Sequence, residues 1–385
     1  MRIAYVGDFL DHGRGLNTVG ASIVFLLALN EEVESIDVFC PYSDKGSHVK
    51  NHHKKIRVIE TYRYGDALSV LTLFKIRRIN YDRIIFNILP TGFGSTSLPN
   101  LFGLLVPITM AAIFRTPGLR VVYHNSVYTN NVALLGYDTF YDRVRSRVLG
   151  FIEKAMFKLI DTIVLVELYK KAIDERIGLN RVRYSSGRYL EAIPTLFLND
   201  LLDTVEFQNK RNDDVPTVLL HGFWGPQKNL RAALEALSKI SDEGLIFNLI
   251  ISGGINKHFP LYEKQFMKII DEFSDIIGSY LGYIDEKKIL SLYTKSDLLI
   301  LPYNTPGGHS GVLEQAIFFE VETVAIDFAE YREQANGLEF VHLCKRDNLQ
   351  DAIRTVLMYR RNRYRLRIKR KLDEVLDNID ILLQT

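Results

Sequence analysis

The chain has 385 residues, 47% of them hydrophobic, 24% charged and 11% aromatic, and its formal net charge is +2. This is the composition of an ordinary globular protein with room for roughly two to three domains, and the charge balance excludes a surface built throughout for nucleic acid. Cys40 and Cys344 lie far apart in apolar, strand-like runs, which predicts two buried thiols in a reducing compartment and excludes a zinc site built on cysteine.

The chain opens on a strand over residues 2–7, without the apolar core and cleavage site of a signal peptide, so a cytoplasmic protein is expected. Further strands are predicted at 36–40, 83–89, 121–124 and 162–167, with helices at 16–30, 140–159 and 168–176. The most apolar stretch, 98–114, is interrupted by Pro99 and Pro107 and falls at the short limit for a spanning helix, so it reads as a buried or interface-lying helix. A polar, irregular stretch near 199–214 marks a boundary, giving an N-terminal domain at 1–198 and a C-terminal domain at 199–360. In the second half, strands at 218–221, 247–252, 280–283, 298–301 and 323–326 alternate with helices at 229–240, 261–273, 286–294 and 311–319. Nine Lys or Arg and no acid lie from Arg354 to Lys371, and residues 361–385 read as a basic C-terminal helix that crosses back to the first domain. The alternation predicts an α/β chain of two doubly wound, Rossmann-like parallel sheets, with ligands at the carboxyl ends of the strands and in the cleft between the halves.

Four loops that follow strands carry candidate residues. Residues 7–20 contain Gly13, Gly15 and Gly20, which either bring backbone close to a phosphate or sugar or form a surface turn; the spacing matches neither a P-loop nor a dinucleotide fingerprint. His124 closes a strand and either polarises a hydroxyl or caps its loop. Residues 222–229 read Gly-Phe-Trp-Gly-Pro-Gln-Lys-Asn, and Lys228 at a helix start opposes the dipole unless a phosphate binds there or the lysine is simply solvated. Finally, His309-Ser310-Gly311-Val312-Leu313-Glu314 follows a strand and a glycine turn, the arrangement of an anion site at a helix N-terminus, with Glu314 in an apolar helix as an acceptor for a ribose diol or a member of a structural salt bridge.

Taken in order, residues 222–229, the run Leu281-Gly282-Tyr283-Ile284-Asp285-Glu286, the run Ser296-Asp297-Leu298-Leu299-Ile300-Leu301-Pro302 and residues 311–316 resemble the C-terminal half of retaining GT-B glycosyltransferases, most closely family 4, the group 1 type. Residues 2–7, 121–125 and 161–167 fit the N-terminal half. The resemblance implies a nucleotide-diphosphate sugar held by the second domain and an acceptor on the side of the first. By that resemblance Lys228 neutralises the diphosphate, with Phe223 and Asn229 beside it. Tyr283 and Ile284 lie by the base, and His309, Ser310, Gly311 and Val312 meet the phosphates. Glu314 grips the ribose, His124 stands near the reacting sugar, and Gly13, Arg14 and Gly15 form a loop beside the donor phosphate. The implied catalytic set is His124, Lys228 and Glu314.

Two positions depart from the family pattern. A second basic residue is replaced by Phe223, and the first of two glutamates falls on Pro306. Arg14 is the cation that the first domain would offer instead. The chain has no Asp-x-Asp pair in a suitable loop, so no metal and no cofactor are expected. The expected activity is hexosyl transfer with retention to a glycan or lipid-linked sugar. The basic segment and the apolar helix either dock on an anionic membrane from the cytoplasmic side or pack against the protein. Phe223 and Pro306 motivate an alternative, a non-catalytic GT-B module that binds a nucleotide or a partner. An epimerase on the same fold is a third reading, although its acidic and histidine set is not evident.

Overall fold

A computed structural model of the chain describes all residues except 11–16, 44–52, 91, 95, 125–139, 179–180, 188, 195–214, 257–258, 306–308, 360–370, 372–375, 377–381 and 384–385. The chain forms two compact units, one of residues Met1–Pro194 with Asp373–Thr385, the other of Thr195–Leu372.

The first unit holds β1 (Arg2–Val6), β2 (Ser35–Pro41), β3 (Ile56–Tyr62), β4 (Arg83–Ile88), β5 (Leu119–Tyr123), β6 (Asp161–Val164) and β7 (Val182–Tyr184), all parallel, in the spatial order β3-β2-β1-β4-β5-β6-β7. Helices cover both faces, which is why β1, β4 and β5 read as apolar runs rather than as alternating patterns. The second unit holds β8 (Thr217–His221), β9 (Asn248–Ser252), β10 (Ser279–Tyr280), β11 (Leu298–Leu301), β12 (Glu322–Ile326) and β13 (Val341–Cys344), also parallel, in the order β10-β9-β8-β11-β12-β13. Each sheet therefore reverses its winding beside its own first strand, between β1 and β4 and between β8 and β11. Two neighbouring loops leave the sheet in opposite directions there, and the carboxyl ends of the strands open a crevice.

The predicted α/β class and the doubly wound sheets hold, while several elements differ. β10 covers two residues instead of 280–283, because Gly282 with φ +61° turns the chain out of the sheet. Residues 98–114 form one helix, Ser97–Ala112, that accommodates both prolines; Pro99 lies in the first turn, where no intrahelical N–H is needed. Leu104, Val106 and Met110 of this helix are buried, and Leu98, Ile113 and Phe114 at its ends are exposed. Among the described residues no helix is long and apolar enough to cross a membrane. Cys40 is buried as expected, but Cys344 is only half-buried, since β13 is an edge strand. Burial and nearby Asp327 push the Cys344 thiol up to about 11, and burial raises Cys40 further, so both are protonated at neutral pH.

Most of the predicted C-terminal helix, 361–385, lies outside the described residues. Two basic side chains of the Arg354 to Lys371 segment are committed within the second unit. The Arg354 guanidinium forks onto Glu243, with Nε to Oε2 at 2.7 Å and Nη2 to Oε1 at 2.6 Å. Lys371 Nζ donates to the Phe318 carbonyl at 2.6 Å and to Glu320 Oε1 at 2.8 Å, closing the carboxyl end of the helix Gly311–Phe318. Lys371→Met should lower stability by about 1–2 kcal/mol in denaturant titration, because end carbonyls facing the negative pole of a helix lose their cation. An unchanged midpoint would show the contact to be idle.

Candidate functional site

The carboxyl ends of β8, β9 and β10 are tied together through glycines. Gly222, Gly253 and Gly282 follow the three strands with φ of +140°, +104° and +61°. Gly253 N–H donates to Gly282 O at 2.6 Å, and Trp224 N–H donates to Gly254 O at 2.8 Å. A Cβ on Gly253 would lie 1.8 Å from Gly222 O, so no other residue fits. Trp224 is buried and donates through Nε1 to Ser252 O at 3.0 Å, which turns its neighbour outward. Phe223 is 56% exposed and Tyr283 64% exposed. Their rings stack at 6.2 Å between centroids and 28° between planes. Ile284 beside them is half-buried.

Lys228 does not sit at the start of a helix, contrary to expectation. It ends a single 3-10 turn, Pro226–Lys228, and Asn229 in a left-handed conformation (φ 49°, ψ 47°) separates it from the helix Leu230–Asp242. The turn redirects the side chain: Nζ lies 3.6 Å from the centroid of the Tyr303 ring. The residue is half-buried, its ammonium packs over that ring, and among the described residues no carboxylate or hydrogen-bond acceptor meets it. Desolvation lowers its pKa to about 7. His221, at the end of β8, places Nδ1 2.7 Å from Ser252 Oγ; burial first and the Lys228 charge second lower it to about 4, so it is neutral.

Beyond β11 the chain reaches Ser310, which caps the helix Gly311–Phe318; its Oγ accepts from Leu313 N–H at 3.4 Å. Gln334, on the helix Ala329–Ala335, fixes this cap from behind. Its Oε1 accepts from Ser310 N–H at 2.9 Å, and its Nε2 donates to Ser310 O at 3.1 Å and to Glu314 Oε1 at 2.8 Å. Glu314 is only 5% exposed and so takes a neutral amide as a partner. His309 Nε2 lies 3.2 Å from Glu333 Oε1, at ion-pair distance but without hydrogen-bond alignment. The first-turn N–H groups of Gly311 and Val312 have no intrahelical acceptor.

Lys228, His309 and Ser310 thus stand on the two loops that leave β8 and β11, and Gly311, Val312 and Glu314 on the start of the helix that follows, at the switch point of the second sheet. Sequence reasoning missed His221, Tyr303 and Gln334. Tyr303 carried a usable signal, since it follows β11 by two residues in the loop already singled out. Gln334 carried none, because it reaches Glu314 from another helix, 20 residues along the chain.

In the first unit His124 directly follows β5, with Nε2 2.8 Å from Asn87 Oδ1 of β4. With that oxygen as acceptor Nε2 carries the proton and Nδ1 is the ring acceptor. Burial lowers His124 to about 4, so the ring is neutral at pH 7. At Gly20 a Cβ would lie 2.0 Å from Asp8 O, so the glycine lets the helix Asn17–Leu29 pack on its own chain. Gly13, Arg14, Gly15 and Pro306 lie outside the described residues.

No protein-family model and no curated protein sequence matches the chain. Solved structures do. Sucrose-phosphate synthase from Thermosynechococcus elongatus superposes with a TM-score of 0.65 at 14% identity, covering 99% of this chain and 94% of its own. WaaG, a glycosyltransferase involved in lipopolysaccharide biosynthesis, gives 0.60 at 13% identity over 98% and 95%. HepE of Anabaena, solved with UDP and glucose, gives 0.59 at 15% identity over 99% and 94%. At such identities the likeness is one of fold. The chain therefore has the GT-B fold, two parallel-sheet, Rossmann-like domains of seven and six strands.

Proposed function

We propose that the protein is a retaining glycosyltransferase that moves a sugar from a nucleotide-diphosphate sugar to a hydroxyl of a glycan or lipid-linked acceptor. The observation that carries this reading is the Lys228 ammonium, seated on the Tyr303 ring without a carboxylate, on the loop after β8 at the switch point of the second sheet. A partly desolvated cation without a counter-charge, on the loop facing a helix N-terminus at the switch point, is complementary to a phosphate anion.

The bond from the anomeric carbon to the terminal phosphate oxygen breaks, and its electron pair leaves with the nucleoside diphosphate. Lys228 and the Gly311 and Val312 N–H groups take up that charge. The acceptor oxygen bonds the anomeric carbon on the face the phosphate leaves, and its proton passes to the departing phosphate. Glu314, oriented by Gln334, accepts from the ribose, and Phe223 with Tyr283 offers a stacking face to the base. His124 accepts from a sugar hydroxyl through Nδ1. These roles require no metal or cofactor. Among the described residues no group of three or more His, Cys, Asp or Glu is placed to hold a metal. The second domain takes the donor and the first the acceptor. The basic segment from Arg354 to Lys371 supports an acceptor at an anionic membrane on the cytoplasmic side, a point that salt-dependent binding to anionic vesicles would test.

The test is a panel of nucleotide sugars, led by UDP-glucose because the HepE structures hold UDP and glucose, read by thermal shift and then by turnover with the product anomer assigned by NMR. Retained configuration supports the proposal, and inverted product overturns its stereochemistry. Phe223 in place of a cation favours a second reading, a module that binds nucleotide without turnover; stabilisation with no transfer to any acceptor would select it. Phe223→Ala should weaken nucleoside binding about tenfold, because an aromatic face is worth roughly 1–2 kcal/mol to a stacked base. Unchanged calorimetric affinity would remove the ring from the site.

A further inference from the structure

Among the described residues, the second unit has five buried side-chain polar atoms without a hydrogen-bond partner, and all five lie on the loops after β8 and β11 or on the helix behind them. They are Gln227 Oε1, Tyr303 Oη, Thr305 Oγ1, His309 Nε2 and Tyr331 Oη. Gln227 belongs to the loop after β8, and Tyr303, Thr305 and His309 to the loop after β11. Tyr331 is on the helix behind, its ring 6.3 Å from that of Tyr303. Buried polar atoms are ordinarily satisfied, so a local concentration of orphans points to a polar guest.

Tyr303 is the best placed of the five. It is 1% exposed, and its ring seats the Lys228 ammonium. A Cβ built on Gly222 would stand 3.5 Å from both Tyr303 Oη and Val312 Cγ2, so the hydroxyl ends beside the glycine after β8 and the first turn of the helix Gly311–Phe318. The Ser310 hydroxyl faces both phenols without the alignment of a hydrogen bond to either. Burial raises the Tyr303 phenol above its ordinary range, which keeps it a donor.

We propose that the Tyr303 hydroxyl is a further donor to the diphosphate of the nucleotide sugar, held beside Lys228 on the same ring and replacing part of the stabilisation that Phe223 cannot give. This rests on the nucleotide-sugar reading of the site. The hydroxyl donates a hydrogen bond and transfers no proton, so the leaving diphosphate departs with the electron pair as before.

Tyr303→Phe keeps the ring and the seat of Lys228 and removes only the hydroxyl. In the ligand-free protein the melting temperature should stay level or rise, since a partnerless buried hydroxyl contributes nothing there. Affinity for uridine, adenosine or guanosine diphosphate, whichever the wild type binds, and for inorganic pyrophosphate should fall about tenfold, with the matching nucleoside unaffected, and kcat should fall by about 10- to 100-fold. Diphosphate affinity and kcat equal to wild type would overturn the inference. So would a lower ligand-free melting temperature with nucleoside and diphosphate weakened alike, which marks a packing role. If the wild type binds diphosphates and Tyr303→Phe binds them equally, only the role of Tyr303 is lost; if the wild type binds none, the nucleotide-sugar reading itself fails and carries this one with it.

Discussion

Lys228→Met should lower kcat/KM for the nucleotide sugar by about 100- to 1000-fold, the loss typical of a donor aimed at developing charge in an enclosed site. It should also erase a pH dependence that the wild type shows. In the folded, ligand-free protein burial holds this lysine at about 7, whereas in the unfolded chain it keeps its proton to roughly 10.4. Between those values the unfolded chain binds more protons, so the contribution to stability rises with pH from about 7 upward, and the full penalty of a buried ammonium is felt below about 7. A diphosphate reverses the preference by restoring the charge. Binding above pH 7 therefore takes up a proton, and affinity falls with rising pH by up to about tenfold per unit. His221 and Tyr303, the titratable neighbours, do not move across this window: one is lowered to about 4 and the other is raised. Calorimetry at pH 8.5 in two buffers of different ionisation enthalpy reads the uptake directly. Equal apparent enthalpies in both buffers would mean that Lys228 is not the anion's partner.

Gly253→Ala is the substitution expected to damage the fold most. Its methyl group would meet Gly222 O at 1.8 Å with backbone on both sides of the contact, and φ is +104°, where alanine is strained even in open space. Neither atom is the tip of a flexible side chain, so the loops after β8, β9 and β10 must separate. A loss of roughly 3–5 kcal/mol and of about 10 °C in melting temperature follows, together with the stacked arrangement of Phe223 and Tyr283. A variant that melts like the wild type would show the close approach to be relaxed in solution.

How far the sequence disclosed this molecule depended on how local each signal was. The central strands β1, β8 and β11 are short apolar runs closed by a turn, and a strand buried on both faces has no other appearance. β3 at the edge reads Ile-Arg-Val-Ile-Glu-Thr-Tyr, largely half-exposed, and was hidden by its polar content; β7, three residues long, gave no period to read. At the site, the loops after β8 and β11 were legible because glycines and a capping serine mark a strand passing into a helix. The path of Lys228 was not, since a left-handed Asn229 between turn and helix decides it and a sequence does not display that angle. The partners of Glu314 and Tyr303 come from Ala329–Ala335, which meets them only once β12 has been laid beside β11.

That seven-residue helix, Ala329–Ala335, acts as a backing plate. Through Tyr331 it abuts Tyr303, through Glu333 it faces His309, and through Gln334 it grips Ser310 and Glu314. Donor binding can accordingly be retuned from behind the loop after β11, by substitutions that tilt the plate and leave Tyr303, His309, Ser310 and Glu314 in the chain. Libraries built at positions 331, 333 and 334 would therefore shift the hold on diphosphate and ribose together, through the groups that these three residues brace.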